Sequence, residues 1–173
     1  MVYQPYLVES NGSYWDFYNA AGVNEYGAKA EESGIANCKD FPCISVGGLS
    51  SWEPNPASPV IRSGPNGSCD SAMASDPKVF WDEVQKVWVM VYFGMGAGTG
   101  GHADILVAFS TDLLRWDKDP EPLYRAGHHP AGIDAQHAHK VSLLYDAEGT
   151  GYMYYTAVGA KGRGIALLTS RPL

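Results

Sequence analysis

The chain has no cluster of lysine or arginine: its 12 basic residues are scattered and outnumbered by 19 acidic ones, for a formal net charge of −7. Nucleic-acid phosphates would find nothing to pair with, so no nucleic-acid partner is expected. No apolar run approaches the ~18 to 20 residues that span a bilayer, so no membrane partner is expected either. Residues 1–10 carry neither a basic n-region nor an apolar h-region, which gives the expectation of a cytoplasmic protein. Cysteine is scarce. Cys38, Cys43 and Cys69 are too few, and odd in number, for a disulfide framework. A Cys38–Cys43 bridge closing one loop is one reading, and three reduced thiols in a reducing compartment is the favoured one.

Helix signals are weak everywhere. Residues 25–33 could form a turn or two, and a loop insertion suits them better. There is no Gly-x-Ser-x-Gly elbow and no cysteine in an evident His-paired context. The glycine-rich stretch 94–101 lacks the Gly-Lys-Ser/Thr of a P-loop and reads as a flexible rim loop.

What the chain has in abundance is 11 Tyr, 5 Trp and 5 Phe with 20 Gly and 11 Pro, a composition of short strands and tight turns. Three segments share one pattern. The clearest begins at Asp76-Pro77, turns at 82–86, continues through the apolar run 87–93 and the glycine-rich loop, resumes at 103–110, and closes on Ser110, Asp112 and Trp116 before Pro122-Leu123. The others begin at Gln4-Pro5 and at His139-Lys140; the second ends at Pro172-Leu173. The equivalent positions Tyr14, Trp88 and Tyr152 are 74 and 64 residues apart. Residues 87–93 are apolar at every position, as for a strand buried on both faces by stacked sheets. An ordinary antiparallel sandwich is the alternative. The expected fold is all-β: one domain over 1–173, a partial β-propeller of about three four-stranded antiparallel blades near 1–60, 61–123 and 124–173.

Ala74-Ser75-Asp76-Pro77-Lys78-Val79-Phe80, Val91-Tyr92-Phe93-Gly94, the run from Ala108 to Trp116 with its Ser-x-Asp-x-x-x-Trp pattern, and Gly162-Arg163-Gly164-Ile165 carry a resemblance. They resemble the five-bladed propeller glycosidases related to glycoside hydrolase families 32, 43 and 130. The resemblance covers almost the whole chain. Such propellers take about 300 residues, so it implies an incomplete ring, and two uncovered sheet faces lead to the expectation of a homodimer. It also implies a carbohydrate or small-molecule substrate and a set of catalytic carboxylates. Asp76, by its Asp-Pro context, fits the carboxylate that orients and tunes, against the alternative of a strand-start cap. Its first-blade equivalent, Gln4, can act as neither base nor nucleophile and is assigned to substrate binding. Asp134 is the nearest carboxyl group to the third innermost strand and is the second catalytic candidate.

In a four-stranded blade the starts of strands one and three share a rim, which collects all five histidines. His137 and His139 are at i and i+2, so on an extended strand both point the same way ~6.5 to 7 Å apart. With His102 they could hold a divalent ion, zinc by preference, that activates water. Hydrogen bonding to sugar hydroxyls is the other reading of the three. His128 and His129 are assigned to substrate binding. The function expected is a hydrolase on a truncated glycosidase-like propeller with metal-activated water. The alternatives are a non-catalytic carbohydrate-binding fragment, or a glycosidase whose remaining carboxylates lie outside the chain.

Overall fold

Asn11 and Gly12 both take positive φ, 50° and 69°. They make the two-residue turn whose twist matches the strands it joins, so β1 (Val2–Ser10) folds straight back on β2 (Ser13–Val23). β2 pairs with β3 (Lys29–Cys38), and the two-residue β4 (Glu53–Pro54) closes this first blade. The second blade repeats the order with β5 (Met73–Asp82), β6 (Val87–Met95), β7 (Ala103–Ser110) and β8 (Asp117–Lys118). The third has β9 (His137–Tyr145), β10 (Gly151–Gly159) and β11 (Gly162–Thr169). The computed structural model describes residues 2–38 and 52–171, so the fourth strand expected at Pro172-Leu173 lies outside the described residues.

Within each blade every pairing is antiparallel. Successive blades touch through single parallel bridges, Glu31 to Met73 and Ala103 to His137, where the first strand of one blade brushes the third strand of the blade before it. This is propeller stacking. β6 supplies both interfaces, as its unbroken apolar run leads one to expect. Met90 and Tyr92 pack with Phe17, Ile35 and Val79 between blades one and two, while Val91 packs with Ile105, Val141 and Tyr155 between blades two and three. Fully burying side chains of this size contributes roughly 1.5–3 kcal/mol each.

The closing Ser-x-Asp-x-x-x-Trp pattern acts as a turn lock. Ser110 Oγ accepts from the Asp112 and Leu113 N–H groups, and Asp112 Oδ1 accepts from Leu114 and Arg115. Trp116 Nε1 donates to the Leu113 carbonyl, which fixes the indole against the core, edge-on to Phe17 with centroids 6.0 Å apart.

Three expectations need correction. Residues 25–33 are neither helix nor inserted loop: β2 and β3 stay paired out to Val23 and Lys29, and Asn24 Oδ1 ties the turn by accepting from Tyr26 and Ala28. The glycine-rich stretch is packed, not a free loop. A Cβ on Gly98 would sit 2.5 Å from the Gly67 carbonyl oxygen, and one on Gly96 2.5 Å from the Ser71 nitrogen, so these glycines exist because backbone lies against backbone. Cys69 is free but Cys38 is disulfide-bonded, which overturns the reading of three reduced thiols; Cys43 lies outside the described residues.

The two end blades present bare faces. Blade three exposes Leu144, Tyr154 and Ile165. On blade one, Leu7 and its cross-strand partner Asp16 share the outer face, and Asp16 Oδ1 is enclosed without a hydrogen-bond partner. Burial pushes this carboxyl up to about 6, against a smaller opposing effect of the Tyr6 backbone. A folded-state pKa above the unfolded value contributes stability that is fully present below ~4 and lost as pH rises through about 6. Asp16→Asn is therefore expected to raise stability at pH 8 by about 1 kcal/mol, after allowance for solvent screening of a half-exposed group. At pH 4 the substitution is expected to change nothing; urea unfolding at the two pH values checks both.

Candidate functional site

Each innermost strand breaks its ladder near the rim: β1 between Tyr3 and Tyr6, β5 between Ser75 and Lys78, and the β9–β10 pair between Tyr154 and Thr156. At each break one non-glycine residue takes a left-handed backbone, Gln4 at φ 54°, Asp76 at 56° and Lys140 at 55°. Such conformations cost of order 1–3 kcal/mol each and persist only where the surroundings impose them. The bulge turns one side chain per blade toward a common point. The third-blade counterpart of Asp76 is therefore Lys140, not the His137-to-His139 stretch. The signal for it was available: the offset of 64 that relates Trp88 to Tyr152 also relates Asp76 to Lys140.

Asn19, fully buried on β2, joins the three. Its Nδ2 donates to Gln4 Oε1 at 2.8 Å and to Asp76 Oδ1, and its Oδ1 accepts from the Asp76 backbone N–H at 2.7 Å. Lys140 Nζ reaches Asp76 Oδ2 at 2.7 Å, bridging blade three to blade two. Asp76 is 2% exposed, and the hydrogen bonds to its carboxylate come from side chains of the two neighbouring blades. A strand-start cap would accept from local backbone N–H groups instead, so that alternative does not hold. Beside it, the Lys78 ammonium lies 5.0 Å from the centroid of the Tyr6 ring. Burial lowers the Lys78 pKa, with Asp76 opposing and Lys140 reinforcing.

The histidines divide into two groups. His102, His137 and His139 form a row with ring centroids 6.4 and 6.1 Å apart. His139 is 9% exposed and edge-on to Phe93, and burial, then the Lys140 charge, lower its pKa to about 4, so it is neutral at physiological pH. His102 Nδ1 lies 2.7 Å from the Gln136 carbonyl, which can only accept, so this nitrogen carries a proton and in the neutral ring Nε2 keeps its lone pair. His137 is the opposite tautomer: its Nδ1 accepts from the Ala103 N–H at 3.1 Å, which leaves the proton on Nε2. Metal ligation at Nε2 would need that proton moved to Nδ1, where it would meet the Ala103 N–H. The expected His102, His137 and His139 zinc site is accordingly not assembled. Among the described residues no group of three or more His, Cys, Asp or Glu side chains is placed to hold a metal ion. The exposed faces of His102 and His137 offer one acceptor and one donor, which suits a hydroxyl group.

His128 and His129 lie on the loop 125–136, and among the described residues neither is in ring contact with this row. His128 stands edge-on to Tyr124, with ring centroids 6.3 Å apart, and His129 Nδ1 accepts from the Ala131 N–H. Among the described residues no ring contact or hydrogen bond joins either one to Gln4, Asn19, Asp76 or Lys140.

Asp134 departs furthest from its expected role. It is fully buried and its carboxylate accepts from Tyr124 Oη at 2.8 Å, Tyr155 Oη at 2.9 Å, and the Gly127 and His129 N–H groups. Burial alone would raise its pKa; the tyrosine and backbone hydrogen bonds outweigh that and hold the carboxyl below its ordinary value. With every lone-pair direction used and no solvent access, Asp134 anchors the 125–136 loop and does not meet a substrate.

The profile of the glycosyl hydrolases family 32 N-terminal domain matches residues 8–135. Among solved structures, a glycoside hydrolase is 27% identical, with a TM-score of 0.72 over 92% of this chain and 42% of that one. Fructan 1-exohydrolase IIa from Cichorium intybus is 16% identical, with a TM-score of 0.73 over 98% of this chain and 30% of that one. The α-L-arabinofuranosidase from Lactobacillus brevis is 14% identical, with a TM-score of 0.69 over 99% of this chain and 51% of that one. The chain thus spans about half or less of the length of each. No curated protein sequence matches it.

Proposed function

Because the chain belongs to the family of the glycosyl hydrolases family 32 N-terminal domain, we propose that its axis face binds a glycoside, with Asp76 as the carboxylate beneath the reacting sugar. The observation that carries this reading is the threefold left-handed bulge that aims Gln4, Asp76 and Lys140 at one point, with Asn19 locked between the first two. Glycoside hydrolysis passes through an oxocarbenium-like state whose positive charge a fixed carboxylate stabilises. Asp76 is pre-oriented by Asn19 and Lys140, so little reorganisation is needed when that charge appears. Gln4 and the His102–His137 pair are suited to sugar hydroxyls.

The test is a panel of aryl and oligomeric glycosides that includes arabinofuranosides and fructans, read for both turnover and binding. Saturable binding with turnover is the expected outcome. Binding without turnover selects the carbohydrate-binding alternative, which Gln4 favours by standing where blade two has a carboxylate. Neither binding nor turnover overturns the proposal.

A further inference from the structure

Glycoside hydrolysis takes two carboxyl groups, and Gln4 and Lys140 leave Asp76 alone among the three bulge residues. A second carboxyl group stands beside it on the seam between blades one and two. Tyr3, Asn19 and Ser33 pair in a row across β1, β2 and β3, on the face that packs against blade two. Glu31 lies two residues rimward of Ser33, ~6.5 to 7 Å further along the same face of β3. There Ser75, the residue next to Asp76, donates from Oγ to Glu31 Oε2 at 3.2 Å. The Tyr3 phenol faces the same carboxyl group; burial first, and then Glu31 and Asp76, push this phenol well above its usual range.

The two carboxyl groups have opposite chemistry. Asp76 accepts from an ammonium and an amide N–H, which only donate, so a proton added there would break a bond already made. Glu31 meets two hydroxyl groups, Ser75 and Tyr3, and a hydroxyl can turn from donor to acceptor when the carboxyl group gains a proton. Asp76 is buried at the axis, whereas Glu31 is half-buried at the rim, where a leaving group would depart.

We propose, resting on the reading above, that Glu31 is the proton-transfer residue of this face. Its carboxyl group gives a proton to the glycosidic oxygen as the bond from that oxygen to the anomeric carbon breaks. Water then adds its oxygen to the anomeric carbon, and the proton it releases restores Glu31. Water is the only co-reactant, and the two products are a free sugar and an alcohol.

The experiment compares the wild-type chain with Glu31→Gln and Asp76→Asn on two glycosides of one sugar, a 4-nitrophenyl glycoside and its methyl counterpart, the sugar being the one turned over best in the panel. A group that protonates the leaving oxygen contributes typically ~10²- to 10⁴-fold, and most where the leaving group is poor. Glu31→Gln is expected to lose about 100-fold or more in kcat on the methyl glycoside, and under about 10-fold on the nitrophenyl one. Equal losses on both substrates, or activity like wild type while Asp76→Asn is inactive, overturn the Glu31 assignment and leave the proposed function standing. A wild-type chain that binds glycosides but cleaves none overturns the Glu31 assignment alone, and one that neither binds nor cleaves any overturns both. Thermal unfolding of Glu31→Gln close to wild type ties a loss of rate to the carboxyl group and not to misfolding.

Discussion

Asp134→Ala is expected to destabilise the chain by about 3 kcal/mol, because a buried donor left without its acceptor costs about 1–3 kcal/mol and only the more exposed of its four partners can turn to water. The Tyr124 and Tyr155 hydroxyls and the Gly127 and His129 N–H groups would all lose their acceptor. Tyr155 is itself 1% exposed and packs in the core between blades two and three. Small domains have only ~5–15 kcal/mol in total, so loss of the 125–136 loop and of the third blade together is within reach of this one change. Tyr155→Phe removes a single donor and is expected to cost only about 1–2 kcal/mol, which keeps the comparison measurable if Asp134→Ala does not fold. Urea unfolding read by tryptophan fluorescence and by backbone signals checks both. A depressed carboxylate pKa adds stability that is present above its unfolded value and lost as pH falls through the folded one. The gap between wild type and Asp134→Ala is therefore expected to hold at neutral pH and to narrow as pH falls below the ordinary carboxylate range.

Asp76→Asn carries the largest expected effect on function, a fall in kcat/KM of roughly 10³-fold, equivalent to about 4 kcal/mol of transition-state stabilisation. The amide is nearly the same shape as the carboxyl group and can still accept from Asn19, so the axis geometry should survive. What is removed is the negative charge. Lys140 loses its counter-ion but remains 39% exposed, and water can take its place. Fold and sugar binding are expected to change little while turnover collapses, a split that kinetics and calorimetry on the same preparation resolve. If turnover stays within about threefold of wild type, Asp76 is not beneath the reacting sugar.

Most of the architecture could be read from local pattern. The apolar run of β6 announces a strand buried on both faces, and Ser110, Asp112 and Trp116 mark a turn whose hydrogen bonds are all made within seven residues. The site was less legible because its contacts are distant in sequence. Asn19 meets Asp76 across 57 positions and Lys140 meets it across 64. A bulge adds one residue to a strand and changes which side chain faces inward, so the regular alternation assumed for His137 and His139 could not reveal that Lys140 turns to the axis. Asp134 misled for a related reason: a carboxyl group on a histidine-bearing loop looks catalytic until its two tyrosines, one of them from β10, are seen to enclose it. Asn19 did leave a trace, as a polar residue in an aromatic strand. Glu31 left none, because a glutamate near a strand end ordinarily faces solvent.

The three left-handed residues also set a limit on how this chain could be improved. Glycine occupies that backbone region without steric penalty, so Gln4, Asp76 and Lys140 each hold a conformation that glycine would accept more easily. A laboratory selection for thermal tolerance alone would gain most from glycine at the exposed Lys140 and least at Asp76, whose carboxylate the buried Asn19 amide needs as its acceptor. A selection that also demanded sugar recognition would have to seek its gains elsewhere, on the bare outer faces of the first and third blades.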